Sequence, residues 1–438
     1  MSLPSESWPW RRGLLWLCLL GPFFYLSYGG ANWLASQRTN VPSVMFDWER
    51  QIPFLAWTIL PYWTENLFYA GSLLSCRDRQ EVDNLGRRLL TAQLVAVSCF
   101  LLFPLAYSQQ HPPVSGWPAF FFEALESFDK PFNQAPSLHV ALAVILWHHY
   151  RSRLTRWLQW PLLAWFVLIA SSVLTTWQHH FIDIPTGALL GWFCLWLWPD
   201  SGHSPWQQRA TGSAGQRHQL AALYLLGACV FAALATHQTG WGWWLLWPAL
   251  SLLLVAGNYL WMGANGFQKA DNGRMSLAAR WLFAPYLLGA WINARLWTRR
   301  RPHADLVADG VWLGRIPDQQ ELAQAPYREV IDLCAELPAA AGEVTVTSLP
   351  TLDLIPPTPL LLAHAAEAIE AAQSRGPVLV CCALGYSRSA AAICTWLLRS
   401  GRASDIDAAT RMLRTARPVV LRPAHLNAIA TAAKLEIS

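Results

Sequence analysis

Long apolar runs with very little charge dominate the first 262 residues of the chain. Over its whole length the chain is 54% hydrophobic and only 13% charged, and it contains 27 tryptophans, a composition typical of membrane proteins. The runs have the length of membrane-spanning helices. We therefore predict an all-α polytopic membrane domain of about eight spans, near residues 13–28, 53–74, 89–108, 137–150, 157–176, 184–198, 219–236 and 241–262.

The basic residues in the loops between these runs indicate the orientation of the membrane domain. Arg11 and Arg12 precede the first run, and no small-x-small cleavage site follows it, so we expect an uncleaved first span. On the side of the N-terminus the loops carry most of the Arg and Lys residues, whereas the opposite loops hold only Arg38, Arg50 and Lys130. This asymmetry places the N-terminus in the cytoplasm.

Charge and cysteine usage exclude several classes of protein. The net charge of +5 is modest, and no basic stripe with interleaved aromatic residues indicates a nucleic-acid partner. The nine cysteines are scattered without paired or metal-ligand spacing, so neither a disulfide framework nor a zinc site is expected. The sequence predicts no metal or other cofactor.

The composition changes near residue 303 to that of a soluble α/β domain. Strands are predicted at 311–313, 329–333, 344–347 and 378–381, and helices at 318–325, 358–374, 389–400 and 404–415. Just before the change, 276–301 has a short apolar centre and ends in Arg299–Arg301, so we favour an amphipathic interfacial helix over a ninth span. The predicted domains are 1–218, 219–302 and 303–438.

The motif V-L-V-C-C-A-L-G-Y-S-R-S at 378–389 has the features of a phosphate cradle with a covalent nucleophile. An apolar strand ends in Cys382, a short loop with Gly385 follows, and Arg388 opens a helix. The helix N-terminus and loop N–H groups favour a bound anion and a thiolate, and the arginine can grip two phosphate oxygens. The alternative is a buried strand cysteine followed by an ordinary surface arginine.

Two polar motifs interrupt the apolar region, at 130–139 and 175–183. Both fall at outer ends of predicted spans and can share one pocket, and ionisable groups at membrane depth are functional candidates. Asp183 follows His179 by one helical turn, where it can orient the imidazole, so His179 can attack phosphorus while His139 protonates the leaving group. The alternative is an inactive anchor in which His179 and His180 are interfacial polar residues.

The region after residue 303 resembles the dual-specificity phosphatases of the protein tyrosine phosphatase superfamily. The resemblance lies in C-A-L-G-Y-S-R-S at 382–389, G-V-W-L-G-R-I-P at 310–317 and T-L-D-L-I-P-P-T at 351–358. It implies an α/β cysteine-phosphatase domain in which Cys382 is the nucleophile, Ser389 assists the thiolate and Asp353 is the general acid, with Asp332 a weaker candidate. The expected phosphate contacts are Arg388, Ala383, Leu384, Gly385, Tyr386 and Ser387. Cys381 stands where the family usually has histidine.

Residues 30–198 resemble the type 2 phosphatidic acid phosphatase (PAP2) superfamily, in particular its inositol-phosphotransferase-like branch. P-S-L-H at 136–139 and H-H-F-I-D at 179–183 carry the resemblance, which implies a six-helix core. It also implies roles for His179 as nucleophile, His139 as general acid and Asp183 as orienting residue. Ser137, Asn133 and Lys130 are the expected phosphate contacts. The chain departs from the superfamily at Val173, which follows Ser172 where arginine is usual.

Together these features predict a fusion of bacterial type, in the inner membrane, with the cysteine phosphatase in the cytoplasm and the PAP2-like site facing the periplasm. We expect a phosphatase for phospholipid monoesters at Cys382 and a histidine-dependent lipid phosphatase or phosphotransferase site in the membrane domain. Two alternatives stay open: a membrane-tethered protein tyrosine phosphatase with a degenerate PAP2 anchor, and a non-enzymatic lipid-binding scaffold. The headgroup, the acceptor at His179 and the protein partners are left undetermined.

Overall fold

A computed structural model describes residues 9–201, 204–207, 209–238, 240–340, 342 and 344–435. The chain divides into two compact units. One contains Met1–Ser204 with Gln238–Trp243, and the other contains Pro205–His237 with Trp244–Ser438. The predicted succession of an apolar helical region and an α/β domain is confirmed.

The first unit is helical. Its helices are α1 (Trp10–Ser36), α2 (Ile59–Leu74), α3 (Arg79–Leu102), α4 (Trp117–Glu126), α5 (Leu138–Arg151), α6 (Gln159–Thr175) and α7 (Asp183–Leu197). Helix α3 begins ten residues before the predicted run and ends before the predicted end, because its first turns carry charged residues that a hydropathy reading leaves out. Helix α4 was not predicted, since it is short.

Helices α5 and α7 pack very closely, and this contact positions the two polar motifs at 130–139 and 175–183, called here the membrane-side motifs. A Cβ added to Gly187 would lie 3.0 Å from the Val140 side chain, and one added to Gly191 would lie 2.8 Å from the Ala141 carbonyl oxygen. The glycines therefore let the two helix backbones approach. As a result, the start of α5 lies beside the start of α7, where the Ser137 N–H donates to the Asp183 carbonyl at 3.1 Å.

Within the described residues, four helical segments are long and apolar enough to cross a bilayer: Trp10–Ser36, Arg79–Leu102, Ala214–His237 and Gly240–Phe267. Gln159–Thr175 and Asp183–Leu197 are shorter apolar helices. The prediction of about eight spans stays a prediction.

The second unit begins with helical segments. Helix α8 is Ala214–His237, α9 is Leu246–Gly257 with a continuation through Met262, α10 is Leu277–Leu282 and α11 is Ala284–Trp297. The 14 residues of α11 span roughly 21 Å, less than the ~30 Å of a bilayer core. Helix α11 packs through Ala294 into an apolar cluster of the α/β domain, while its Leu288 and Trp291 side chains are exposed.

The α/β domain contains a five-stranded sheet in the order β1-β2-β5-β3-β4, in which only β1 is antiparallel to its neighbour. The strands are β1 (Asp305–Ala308), β2 (Val311–Arg315), β3 (Glu329–Cys334), β4 (Thr345–Thr351) and β5 (Val378–Cys382). The helices are α12 (Gln319–Gln324), α13 (Pro359–Gln373), α14 (Arg388–Arg399), α15 (Ile406–Ala416) and α16 (Pro423–Ala432). Strand β1 and helix α16 were not predicted.

Strand β5 is central, and every one of its residues is buried. Its carboxyl end lies between two parallel neighbours, the position where open α/β sheets bind ligands. The Cys382 carbonyl accepts from the Ile316 N–H at 2.8 Å, which fixes the end of the strand against the segment after β2. Cys382 therefore begins the loop at a rigid position.

The segment between α9 and α10 is attached to the sheet near β4. The Ser348 N–H donates to the Asp271 carbonyl at 2.8 Å, and the Ala339 N–H donates to the Gly273 carbonyl at 2.9 Å. Lys269 of the same segment forms an ion pair with Asp332 of β3, and both side chains are fully buried. The helical part of this unit and its α/β domain are thus joined by buried polar contacts.

Candidate active sites

The loop between β5 and α14 surrounds the sulfur of Cys382. The side chain is buried, and its Sγ accepts hydrogen bonds from the Gly385 N–H and the Ser389 hydroxyl, each at 3.3 Å. Two donors suit a sulfur that carries negative charge as nucleophile and as leaving group. Gly385 has φ +76°, and a Cβ there would lie 2.5 Å from the Gly314 carbonyl oxygen, so only glycine fits this turn.

Arg388 directly follows the same loop, and two carboxylates hold its guanidinium. Its Nη1 and Nη2 atoms donate to Glu336 at 2.8 and 2.5 Å, and Nη1 also donates to the Thr351 carbonyl at 2.7 Å. Asp353 Oδ1 lies 2.9 Å from Nη2. Burial alone would raise the pKa of Glu336, but Arg388 outweighs it and holds this pKa below its usual range. The paired Glu336 thus fixes the orientation of the guanidinium.

Asp353 lies in a turn after β4 and faces the loop with 30% of its side chain exposed. Burial raises its pKa, while the nearby Arg388 opposes the shift without cancelling it. A raised pKa favours the acid form of the carboxyl group, which is the form that a general acid needs. Two contacts from the helical segments support this turn: the Tyr259 hydroxyl donates to the Asp353 carbonyl at 3.0 Å, and Gln216 donates to the Leu354 carbonyl at 2.6 Å.

Asp332, the weaker candidate for the acid, is used elsewhere. Its carboxylate lies 2.5 Å from Lys269 Nζ and accepts from the Cys334 N–H at 2.8 Å, and no part of the side chain is exposed. Burial raises its pKa despite the lysine. Asp332 therefore pairs with Lys269, in the segment that joins α9 to α10. Asp353, in contrast, lines one cavity with Ala383 and Leu384 of the loop after Cys382.

Further residues support the phosphate loop without any sequence signal. His425 of α16 accepts the Arg422 N–H at Nδ1, so its Nε2–H is left to donate to the Ser387 hydroxyl at 2.9 Å. The guanidinium of Arg417 lies over the Tyr386 ring, 5.1 Å from the centroid. His425 lies in α16 and Arg417 directly follows α15, both far from the loop in sequence, so a local motif could not reveal them.

In the membrane-side motifs, His179 and Asp183 are buried and in contact. His179 Nδ1 lies 3.1 Å from Asp183 Oδ2, and the same oxygen accepts the His180 N–H at 3.0 Å. A proton on Nδ1 that is donated to the carboxylate leaves Nε2 with its lone pair. His180 has a different partner, since its Nδ1 lies 3.1 Å from Glu49 Oε2.

His139 is held by α2. Its ring stacks on Tyr62 with centroids 3.9 Å apart, and its Nε2 lies 3.4 Å from Glu65 Oε2. Glu65 is buried, and its other carboxylate oxygen has no hydrogen-bond partner among the described residues. Sequence reasoning missed Glu65, although a carboxylate within the apolar run 53–74 was a usable signal.

The three expected phosphate contacts of this region already have protein partners. Ser137 is buried and caps α5 by accepting the Val140 N–H at 3.4 Å. Asn133 donates to the Tyr28 carbonyl at 2.9 Å, and the exposed Lys130 lies 3.3 Å from the Ser36 hydroxyl. A phosphate at this site would have to replace or share these contacts.

Two protein-family models match separate parts of the chain. Residues 62–197 match the PAP2 superfamily, and residues 319–432 match the dual specificity phosphatase, catalytic domain. The chain combines these two families. The PAP2 match ends at the last residue of α7, and the phosphatase match runs from α12 to the end of α16.

Several solved structures match about three tenths of the chain. Tk-PTP in the active form is 25% identical, with 31% of this chain and 98% of that chain covered and a TM-score of 0.29. Human DUSP28 is 27% identical over 30% and 95% of the two chains, with a TM-score of 0.26, and PTPMT1 is 21% identical over 30% and 94%, also with a TM-score of 0.26. No curated protein is significantly similar to the chain.

The presence of both domains supports a phosphatase. Within the dual specificity phosphatase domain, Cys381 and Cys382 lie on opposite faces of β5, in two different apolar clusters. Burial raises the pKa of Cys381 well above its ordinary value, and both thiols are free. The Cys381 side chain therefore packs on the face of the sheet opposite to that of Cys382.

Proposed function

We propose that the chain is a membrane-bound phosphatase that hydrolyses phosphate monoesters of phospholipids through a covalent intermediate on Cys382. The observation that carries this proposal is the convergence of three groups at one loop. The Cys382 sulfur accepts two hydrogen bonds, and ion pairs fix the guanidinium of Arg388. Asp353 Oδ1 lies 2.9 Å from that guanidinium, and burial raises the pKa of Asp353.

In the first step the sulfur attacks phosphorus, an S–P bond forms and the ester P–O bond breaks. Arg388 and the loop N–H groups bind the phosphoryl oxygens and offset their charge. The departing alkoxide takes the proton of Asp353, so the lipid alcohol leaves as a neutral molecule. The balance is one phosphocysteine, one alcohol and one aspartate carboxylate.

In the second step water attacks the phosphocysteine. Asp353, now a carboxylate, accepts a proton from the water, the S–P bond breaks and inorganic phosphate leaves. The Ser389 hydroxyl donates to the sulfur as it recovers its negative charge, which makes it a better leaving group. The enzyme returns to its starting protonation state.

The membrane segments and the surface next to the domain support a lipid substrate. Four helical segments of the described chain have the length and composition to cross a bilayer. Arg299 and Arg300, which end the segment before β1, are exposed and suit a surface of anionic lipid. The basic residues in the loops between the apolar runs support an orientation with the phosphatase domain in the cytoplasm. The protein would then lie in the bacterial inner membrane with the PAP2 site on the periplasmic side.

We also propose a second phosphate-transfer site at His179 in the PAP2 domain. The buried contact between His179 and Asp183 supports it. Nε2 of His179 would attack phosphorus and His139 would protonate the leaving oxygen, after which water or an alcohol would release the phosphoryl group. Lys130, Asn133 and Ser137 would bind phosphate only after exchange of their present partners.

A comparison of substrate classes tests the proposal on the full-length protein in detergent micelles. Phosphate release from a phospholipid monoester and from a phosphotyrosine peptide is measured for the parent chain, Cys382→Ser and His179→Ala. We expect a higher kcat/KM for the lipid, lipid turnover that persists in His179→Ala, and a loss of most of that turnover when Cys382→Ser is added to His179→Ala. A preference for the peptide would support a tethered tyrosine phosphatase instead, and binding without any phosphate release would support a scaffold.

A further inference from the structure

A cavity of about 310 Å³ opens next to the phosphate loop, within the second unit. Asp353, Glu336 and Ala383 of the α/β domain contribute to its lining. The other walls come from helices α8, α9 and α11. The proposed acid Asp353 and the residues Ala383 and Leu384, which directly follow Cys382, therefore share one cavity with helices that lie outside the matched phosphatase domain.

The helical walls of this cavity are largely apolar. Phe231 of α8, Leu252 of α9 and the small residues Gly289 and Ala290 of α11 line them. Phe231 lies seven residues beyond Tyr224, another lining residue of α8, so the cavity follows this helix for roughly 10 Å. That length compares with the ~15 Å depth of one leaflet of the hydrocarbon core.

Besides the amide of Asn293 in α11, the helical walls carry two tyrosine hydroxyls, on side chains that suit a boundary between water and hydrocarbon. Tyr224 and Tyr286 have an apolar ring with one hydroxyl, and their rings are in contact, with centroids 5.8 Å apart. The helical segments Ala214–His237 and Gly240–Phe267, which provide two of the three helical walls, are long and apolar enough to cross a bilayer. A hydrocarbon chain in the cavity would thus lie against helices that are themselves suited to lipid.

We infer that this cavity is the alkyl-chain subsite of the Cys382 site. The substrate is then a phosphate monoester whose alcohol carries a hydrocarbon chain, with the phosphate in the loop and the chain between α8, α9 and α11. This inference rests on the proposed function of Cys382. It adds that the helices before the phosphatase domain are part of its active site and select the substrate.

Alkyl phosphates of increasing length offer a direct test, because the chemistry at phosphorus and the alcohol leaving group barely change from ethyl to octyl phosphate. The measured quantity is the ratio of kcat/KM for octyl phosphate to that for ethyl phosphate, below the concentration at which micelles of substrate form. Each buried methylene adds up to about fourfold to kcat/KM. We expect the ratio for the full-length parent protein to exceed about 100.

Two glycine substitutions make a matched pair. Nothing lies within 4 Å of a Cβ built at Gly289 or at Gly215, and both lie in helices with room for a side chain. Gly289→Leu fills the cavity, so the octyl-to-ethyl ratio should fall roughly 10- to 20-fold, the value of about two buried methylenes. Gly215→Leu, outside the cavity, should keep the parent ratio, and Gly289→Ala should give an intermediate one.

The outcomes separate the subsite from the phosphatase activity. A ratio near 1 in the parent protein, with turnover that still requires Cys382, overturns the subsite and leaves the phosphatase proposal standing. A high ratio that Gly289→Leu and Gly289→Ala leave unchanged also overturns the subsite, since the chain then binds elsewhere. When His179→Ala has silenced the second proposed site, turnover of alkyl phosphates that does not require Cys382 overturns the proposed function and the subsite with it.

Discussion

At Arg388, two carboxylates share one guanidinium, and their different surroundings give them different roles. Glu336 is buried and makes two short hydrogen bonds to the guanidinium, so it acts as a fixed support. Asp353 touches one nitrogen, is partly exposed and has a raised pKa. Two titratable groups whose pKa values are pushed apart are the usual basis for a division between an ionised support and a proton donor.

The proton on Asp353 should control the alkaline side of the pH profile. Because burial raises the pKa of Asp353, the acid form persists to higher pH than for an exposed aspartate and is lost as pH rises through this pKa. Asp353→Asn should lower kcat for an alkyl phosphate by about 10²- to 10⁴-fold and remove the decline of kcat at high pH. The measurement is kcat against pH for the two proteins.

An aryl phosphate provides the control for this variant, since a phenolate needs less protonation as it leaves. The loss of kcat/KM in Asp353→Asn, which reports the first step alone, should therefore be much smaller for the aryl phosphate. Equal losses for both substrates would contradict the assignment of Asp353 as the acid.

Gly385 allows a second test at the residue scale. Gly385 and Gly401 have similar positive φ values, +76° and +73°, but only a Cβ at Gly385 would meet neighbouring backbone. Substitution by alanine at either position costs about 1–2 kcal/mol of backbone strain. Gly385→Ala should in addition displace the loop from Cys382 and lower kcat/KM by about 100-fold or more. Steady-state kinetics in which Gly401→Ala lost as much activity as Gly385→Ala would refute this account of the loop.

At the scale of elements, the turn that carries Asp353 depends on helices outside the phosphatase domain. Tyr259, in the continuation of α9, donates its hydroxyl proton to the Asp353 carbonyl, and Gln216 of α8 holds the next carbonyl. Leu354 has φ +61°, an unfavourable conformation for leucine that these contacts help to maintain. The helical segments therefore act as a brace for the proposed acid.

Tyr259→Phe removes the hydrogen bond to the Asp353 carbonyl and should make the turn less rigid. A single hydrogen bond is worth about 0.5–1.5 kcal/mol, so kcat should fall roughly 2- to 12-fold while KM for a small alkyl phosphate changes little. Tyr327→Phe, at a tyrosine that packs on Trp312 away from this turn, is the matched control. An unchanged kcat in Tyr259→Phe would show that the turn needs no support from α9.

The buried pair of Lys269 and Asp332 joins the segment before α10 to β3. Lys269 Nζ also donates to the Cys334 and Leu337 carbonyls, each at 2.6 Å. Burial disfavours the lysine charge, but Asp332 more than compensates and raises its pKa. Asp332→Ala leaves that charge without its partner and should lower the free energy of unfolding by about 3–5 kcal/mol, as measured by denaturant unfolding in detergent.

The double variant Lys269→Met, Asp332→Leu is the control for this prediction. It removes both charges together and should cost much less than Asp332→Ala alone. If Asp332→Ala cost less than about 1 kcal/mol, the buried pair would have no part in joining the two elements.

The elements that sequence could predict are those with a strong local signal. Strand β5 is a continuous apolar run, and its loop carries Cys382, Gly385 and Arg388 at a characteristic spacing. Strand β1 is only four residues long, with Leu306 exposed, so it has no clear alternation to detect. Glu336 and Tyr259 join the site through contacts between residues far apart in sequence, which no local pattern encodes.

At the scale of the whole molecule, the chain holds two candidate sites with different nucleophiles. The cysteine site lies in the second unit and the histidine site in the first. Each has a nucleophile with an orienting or stabilising partner, Ser389 for Cys382 and Asp183 for His179. Because the two chemistries are independent, substitutions in one site should leave the phosphate release of the other unchanged.

The most direct measurement is phosphate release from a long-chain phospholipid monoester by full-length protein in which His179→Ala has silenced the second site. With Cys382 intact, this variant should retain turnover of the lipid. Addition of Cys382→Ser should reduce the rate by about 10³-fold or more, because serine is a far weaker nucleophile here. Lipid turnover that Cys382→Ser leaves undiminished would contradict the central claim that this loop hydrolyses lipid phosphates.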